Sequence, residues 1–313
     1  MGHGGIADVQ RLILARLWQA VLVMIVASFL CFILVYVSGD PVRALVPLDA
    51  SPADIENIKV QFGLDKPIPL QYVTFVKQAL KGDLGESFRY RQESLRLVLR
   101  RLPATLLLVL ATIVIALCVS IPIGVFTAVR KDTVYDHLGT TLSLAGISIP
   151  GFWAGILLIL FFAGYLQVLP PSGKDGLSHL VLPAVANSLP VIGLLTRLTR
   201  SAMVEELDRM HITALRAKGL PPWMIHYKHA LRNALIPIVT VVGLQFGTLL
   251  GGSVIIETVF AWPGVGWMLF SAITMRDLPL IRAAVLVISV LFVLINLIVD
   301  LLYAFIDPKI RYT

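Results

Sequence analysis

The sequence predicts an all-α integral membrane protein with six transmembrane helices, both termini in the cytoplasm and a large external loop between the first two spans. Three observations carry this. The 313 residues are 57% hydrophobic and only 14% charged. A soluble chain of this length carries about 25% charged residues as a polar skin, and disorder needs still more charge and less apolar content. The second observation is a set of uncharged runs, and the third is the placement of lysine and arginine between them.

The uncharged runs occupy 17–39, 102–129, 137–173, 176–196, 233–256 and 283–299. A spanning helix needs about 20 mostly apolar residues, and the last run reaches that length by extending to about 306 with Asp300 near the head groups. The first run has 23 uncharged residues, more than the roughly 7–15 of a signal-peptide core, and is expected to be a retained signal anchor. The run at 137–173 exceeds one span, and Leu169-Pro-Pro-Ser-Gly173 is expected to end its helix.

Orientation follows from the basic residues. The N-terminus, the 130–136 loop, the 197–232 loop and the C-terminus hold thirteen lysines and arginines, whereas the short loops at 174–175 and 257–282 hold three. The termini therefore belong on the cytoplasmic side. The net charge of +7 reads as this topology signal and not as a nucleic-acid surface. Arg100 and Arg101 sit at the outer end of the second span, against the rule. They close a long loop, and long loops cross largely regardless of charge. Cys31 and Cys118 lie inside apolar runs and behave as small hydrophobes, so no disulfide framework is expected.

Three parts result: 1–39, the cytoplasmic N-terminus and first span; 40–101, the external (periplasmic) loop; and 102–313, a five-span core with the cytoplasmic loop 197–232. In the external loop, Ser51-Pro52-Ala53-Asp54 predicts a helix start running to about Gly63. A second amphipathic helix is expected at roughly 69–80, before Gly82-Asp83-Leu84-Gly85, and a third from about Glu93 into the second span. This loop either caps the outer membrane face or docks a soluble partner.

The sequence has no G-x-x-x-x-G-K-[ST] to hold nucleotide phosphates, no H-E-x-x-H, and no nucleophile motif. His226 and His229 share a helix face but lack the further ligands of a metal site. Intramembrane polar side chains are few: Gln245, Asn187 and Asn296. Each either hydrogen-bonds between helices or lines a pathway. Gly243, Gly247 and Gly251 recur every four residues in the fifth span, a stripe that permits close backbone approach within the bundle, at a pathway or against a partner. Pro122, Pro150, Pro183 and Pro190 can kink their spans.

The 36-residue loop 197–232 exceeds what a connection needs. Thr213 to Lys218 is expected to form a short helix, stopped by Gly219 in a left-handed cap and kept from continuing by Pro221-Pro222. The result is a compact cytoplasmic knob.

Ala217-Lys218-Gly219-Leu220 followed by His229-Ala-Leu-Arg-Asn-Ala-Leu-Ile-Pro237 resembles the cytoplasmic loop of ABC importer permeases, in the version of the dipeptide/oligopeptide/nickel group and its DppB/OppB-like first permease. Gly63-Leu-Asp-Lys-Pro67, Gly82-Asp-Leu-Gly-Glu-Ser87, Leu102-Pro-Ala-Thr105, Leu169-Pro-Pro-Ser-Gly173, Glu257-Thr-Val-Phe-Ala-Trp-Pro-Gly-Val-Gly266 and Arg276-Asp277-Leu278-Pro279 resemble that group in order, over nearly the whole chain. The generic Glu-Ala-Ala-x-x-x-Gly is not kept, with Thr213 at the Glu and Leu215 at the second Ala.

The resemblance implies a type I importer permease in the bacterial inner membrane. Its partners would be a second homologous permease, two ATPase subunits that carry ATP and Mg, and an external solute-binding protein. This chain would be non-catalytic and would bind no cofactor. Thr213, Ala214, Leu215, Arg216, Ala217, Lys218 and Gly219 would be the ATPase-coupling helix, with Arg216 and Lys218 as polar contacts. Gln245, Gly243, Gly247, Gly251 and Asn187 would serve the pathway or helix packing. The group's solutes include dipeptides, longer peptides, glutathione-like compounds, nickel chelates and some sugars, with peptide the first choice. The rivals are a stand-alone carrier or channel, which leaves loop 197–232 unexplained, and an intramembrane enzyme, for which no nucleophile or metal set is present.

Overall fold

The computed structural model describes residues 18–19, 21–30, 32–33, 60 and 65–306. The described residues are helical, with one isolated bridge, Glu86 to Glu93, and no longer strand. Their helices are α1 (Val21–Leu30), α2 (Ile68–Leu80), α3 (Ser94–Val129), α4 (Val134–Ser148), α5 (Gly151–Tyr165), α6 (Leu177–Leu207), α7 (Met210–Ala217), α8 (Met224–Val259), α9 (Val265–Thr274) and α10 (Leu278–Ile306). By length and composition four of these can cross a membrane, namely α3, α6, α8 and Leu278–Val299 of α10. The pair α4 and α5 makes a fifth if counted as one span. Nine of the 23 residues of the expected first span, and the helix expected at 51–63 apart from Val60, lie outside the described residues.

The expected single helix over 137–173 is corrected. It is two helices meeting at 97°, and the second ends at Tyr165. Pro150 is the cause. It lacks an N–H and clashes with a helical predecessor, so Ile149 turns extended at φ −79°, ψ 120°. Gly151 then opens α5, whose last turns, Ile159–Tyr165, widen into a π-helix. Leu169-Pro-Pro-Ser-Gly173 follows the helix instead of ending it.

The chain forms two compact units, Met1–Thr105 with Pro263–Leu294, and Leu106–Trp262 with Ile295–Thr313. In the first, α2 fulfils the expectation of an amphipathic helix at 69–80. Its N-cap is Pro67, and Gly82 at φ +81° closes it. The Gly82 and Asp83 amides return to the Ala79 and Gln78 carbonyls at 3.0 Å each, satisfying the last turn. Val98, Val265, Met268, Ala272, Leu280, Ala283 and Ala284 form the buried core between α3, α9 and α10.

Residues 82–93 are tied to the start of α10. The buried Asp277 carboxylate accepts from the Ser87 hydroxyl, from the Phe88 and Arg89 amides at 3.2 Å each, and from the Leu280 amide at 3.4 Å. Asp277 thus caps α10 and anchors the loop with one side chain. Gly85, at φ +82°, lies where a Cβ would come 3.4 Å from Pro279. Two motifs far apart in sequence, Gly82–Ser87 and Arg276–Pro279, are one structural joint.

In the second unit α6 is the central helix, packed by α4, α5 and α8. Small residues let the backbones approach. A Cβ on Gly193 would collide with the Ser143 carbonyl and Ile147, one on Gly146 would lie 3.2 Å from the Leu189 carbonyl, and one on Gly155 would lie 2.9 Å from the Phe260 ring. Close approach at small residues is how helices associate where water is absent.

Candidate functional site

The segment after α6 builds a knob. Asp208 and Arg209 turn the chain, and α7 begins at Met210, three residues earlier than expected. The expected stop holds: Gly219 has φ +77°, its amide donates to the Arg216 carbonyl at 3.0 Å, and the Leu220 amide reaches back to the Leu215 carbonyl at 3.3 Å. This double return is the Schellman closure that a left-handed glycine permits. Pro221 and Pro222 then separate α7 from α8, which opens with a π-helical segment, Met224–Ala230.

Two devices clamp the knob. Below it lies an apolar cluster of Val125 and Ala128 from α3, Met203 and Leu207 from α6, fully buried Ile212 from α7, and Ile225, Ala230 and Ala234 from α8. Leu215 and Leu220, partly buried, pack against the cluster. Beside it, the Glu206 carboxylate, only 4% exposed, accepts a hydrogen bond from Asn233 at 2.6 Å and lies 3.1 Å from the Arg209 guanidinium and 3.1 Å from the His211 ring. A buried carboxylate needs such partners. These come from the α6–α7 turn, α7 and α8, so one side chain on α6 ties four segments at a single point.

A second ion pair braces the neighbouring loop. Arg200 holds Asp136 with two guanidinium hydrogen bonds, one of them 2.6 Å from Nη2 to Oδ2, and the Asp132 amide donates to the same carboxylate at 3.0 Å. Bidentate pairing fixes geometry as well as charge.

The outward face is exposed. Thr213, Ala214, Arg216, Ala217, Lys218 and Gly219 all lie on the surface, with Met210 at 91% exposure and Trp223 at 62%. Six of the seven residues expected to couple are therefore presented together. Leu215 instead belongs to the underside. Sequence reasoning missed Glu206, Ile212 and the apolar flank of Met210 and Trp223. The pairing of Glu206 with Asn233 was detectable only as an acid in one helix end and an amide in the His229–Pro237 motif.

The intramembrane residues separate. Asn187 is buried and donates to the Thr112 hydroxyl at 3.3 Å, a helix-to-helix hydrogen bond. The surroundings of the glycine stripe differ along its length. Gly243 lies against Val299 so closely that a Cβ would collide, Gly247 is buried, and Gly251 is exposed with nothing within 4 Å of an added Cβ. Gln245 is half-buried. The motif at 257–266 also has a structural role: the Phe260 carbonyl accepts from the Gly173 amide at 3.1 Å, and Lys174 lies 5.8 Å over the buried Trp262 ring.

Comparison with known proteins gives a consistent picture. Residues 120–312 match the family described as binding-protein-dependent transport system inner membrane component, and residues 9–111 match the N-terminal part of such membrane components. The chain is 39% identical over 325 residues to the probable D,D-dipeptide transport system permease protein DdpB of Escherichia coli (strain K12), covering 94% of this chain and 96% of that one. It is 40% identical over 298 residues to the glutathione transport system permease protein GsiC of Pectobacterium atrosepticum, covering 95% and 97%. Among solved structures, an inward-facing form of the MetNI methionine ABC transporter matches with a TM-score of 0.55 at 20% identity, over 67% of this chain and 96% of that chain. That likeness concerns the fold.

Proposed function

This chain belongs to the family of binding-protein-dependent transport system inner membrane components, and from that premise we propose how its parts serve import. At family level it is the non-catalytic permease subunit of an ABC importer. Our finer reading is a type I permease of the bacterial inner membrane with six spans and both termini cytoplasmic. Its parts are 1–39, an external loop at 40–101, and the core 102–313. It forms the pathway with a second homologous permease, receives solute from an external binding protein, and is driven by two ATPase subunits that hold ATP and Mg.

The knob carries this reading. An eight-residue helix with an exposed face is braced by α3, α6 and α8, and the apolar Met210 and Trp223 side chains are exposed on the same segment between α6 and α8. A soluble ATPase cleft would cover those side chains, while Arg216 and Lys218 supply polar contacts. Because α7 is packed on and tied to α6 and α8, a displacement of α7 would pass to both. The solute class is peptide, including glutathione-like peptides, on the strength of the dipeptide and glutathione permeases to which the chain is similar.

The test is a mild-detergent pull-down of the tagged chain from native membranes. The expected result is recovery of a second permease and two ATPases, with the ATPases lost when 213–219 are replaced. Recovery of the chain alone, transporting in liposomes without ATPase, makes it a stand-alone carrier. Gly219→Val gives a sharper probe. An added Cβ meets nothing within 4 Å there, so the left-handed backbone sets the main cost, about 1–2 kcal/mol. Loosened closure of α7 is expected to lower ATPase recovery and solute-stimulated hydrolysis. Wild-type values for both would remove α7 as the lever.

A further inference from the structure

Within the first unit, α1, α2, α3 and α10 line an open apolar groove of about 680 Å³, inside the range of roughly 300–1,000 Å³ typical of small-molecule sites. Its walls include Ile25, Phe75, Val76, Leu95, Leu99 and Val287. The Ser28 and Tyr72 hydroxyls also reach it, but they are hydrogen-bonded to each other at 2.9 Å. The interior therefore offers little to water and much to a hydrocarbon chain.

Gly82, Leu95 and Leu99 also line a second pocket of about 390 Å³, whose other walls are Glu93, Arg96 and Arg100. Arg96 and Arg100 are four residues apart at the start of α3 and share a face. Glu93 lies 3.5 Å from Arg96 in an exposed pair, which leaves one net positive charge on the pocket. An apolar groove thus adjoins a basic pocket at the end of a membrane-spanning helix.

We propose that groove and pocket together hold one anionic phospholipid, an acyl chain in the apolar groove and the head-group phosphate at Arg96 and Arg100. A guanidinium pair recognises phosphate by charge and by paired N–H donors. A protein segment would need an apolar strip ending in an acid to satisfy both; an anionic lipid carries both features in one molecule and is the solvent of these helices. The assignment gives Arg100 a reason to stand where the positive-inside pattern disfavours it.

The experiment uses the purified importer complex in nanodiscs of phosphatidylcholine containing phosphatidylglycerol. Native mass spectrometry then counts the lipid retained. The expected result is one phosphatidylglycerol held in preference to phosphatidylcholine. Retention should weaken about thirtyfold in the Arg96→Gln, Arg100→Gln double variant. It should also weaken in Leu99→Trp, which fills the shared wall and leaves the charges intact. Three results each overturn the proposal: no preference for phosphatidylglycerol, unchanged retention in both variants, or crosslinking of Val76→Cys to the second permease, which would make the groove a subunit interface. None of these bears on whether the complex transports.

Discussion

Asp277→Ala is expected to destabilise the chain by about 3–4 kcal/mol, more than any change to its partner residues. The carboxylate is 1% exposed and receives donors from Ser87, Phe88, Arg89 and Leu280. Truncation strips α10 of its cap and leaves the loop donors without an acceptor in a buried place. Asp277→Asn keeps one acceptor oxygen but turns an amide toward the same donors, so it should fall between wild type and Ala. Ser87→Ala removes one bond and should cost about 1–2 kcal/mol. Thermal unfolding of the detergent-solubilised chain orders the three variants. Equal midpoints for wild type and Asp277→Ala would show that the joint contributes nothing.

Glu206→Ala is expected to be the most damaging change in the knob. It removes the acceptor of Asn233 and the carboxylate beside Arg209 and His211, a loss of about 2–4 kcal/mol of local order. Ile212 keeps α7 on its apolar seat, so the variant should still insert and still recover the second permease. Solute-stimulated ATP hydrolysis by the reconstituted complex should drop by about tenfold or more, since each factor of ten corresponds to about 1.4 kcal/mol of lost coupling. Unstimulated hydrolysis is the control. A variant that stimulates like wild type would mean that the four segments need no common carboxylate to move together.

These two sites also mark where sequence reading stops. Uncharged runs, basic loops, the helix at 68–80 and the left-handed stop at Gly219 were legible because each depends on composition or on residues within one turn. The same holds for the start of α3 at Ser94, beside the expected Glu93. The family resemblance was legible too, as an ordered set of short strings. Pro150 was visible as a possible kink, but a kink of a few tens of degrees and a 97° reversal have the same local sequence. Which one forms depends on α4 and α5 both packing on α6 through Gly146, Gly193 and Gly155. The glycine stripe of α8 shows the same limit. Spacing put Gly243, Gly247 and Gly251 on one face, while the neighbours of that face differ along its length, with Val299 against the first and nothing against the last.

The sequence by itself determined that this chain is a helical membrane protein of the importer permease family and that a capped helix stands between its fourth and fifth expected spans. Those properties are carried by hydropathy, charge placement and steric rules that act over a few residues. Only the tertiary structure decided which carboxylates are anchors. Asp277 and Ser87 are 190 residues apart in the chain, and Glu206 and Asn233 are 27 apart. A buried acid is stabilised by whatever donors the fold delivers to it, and no local pattern states which those will be.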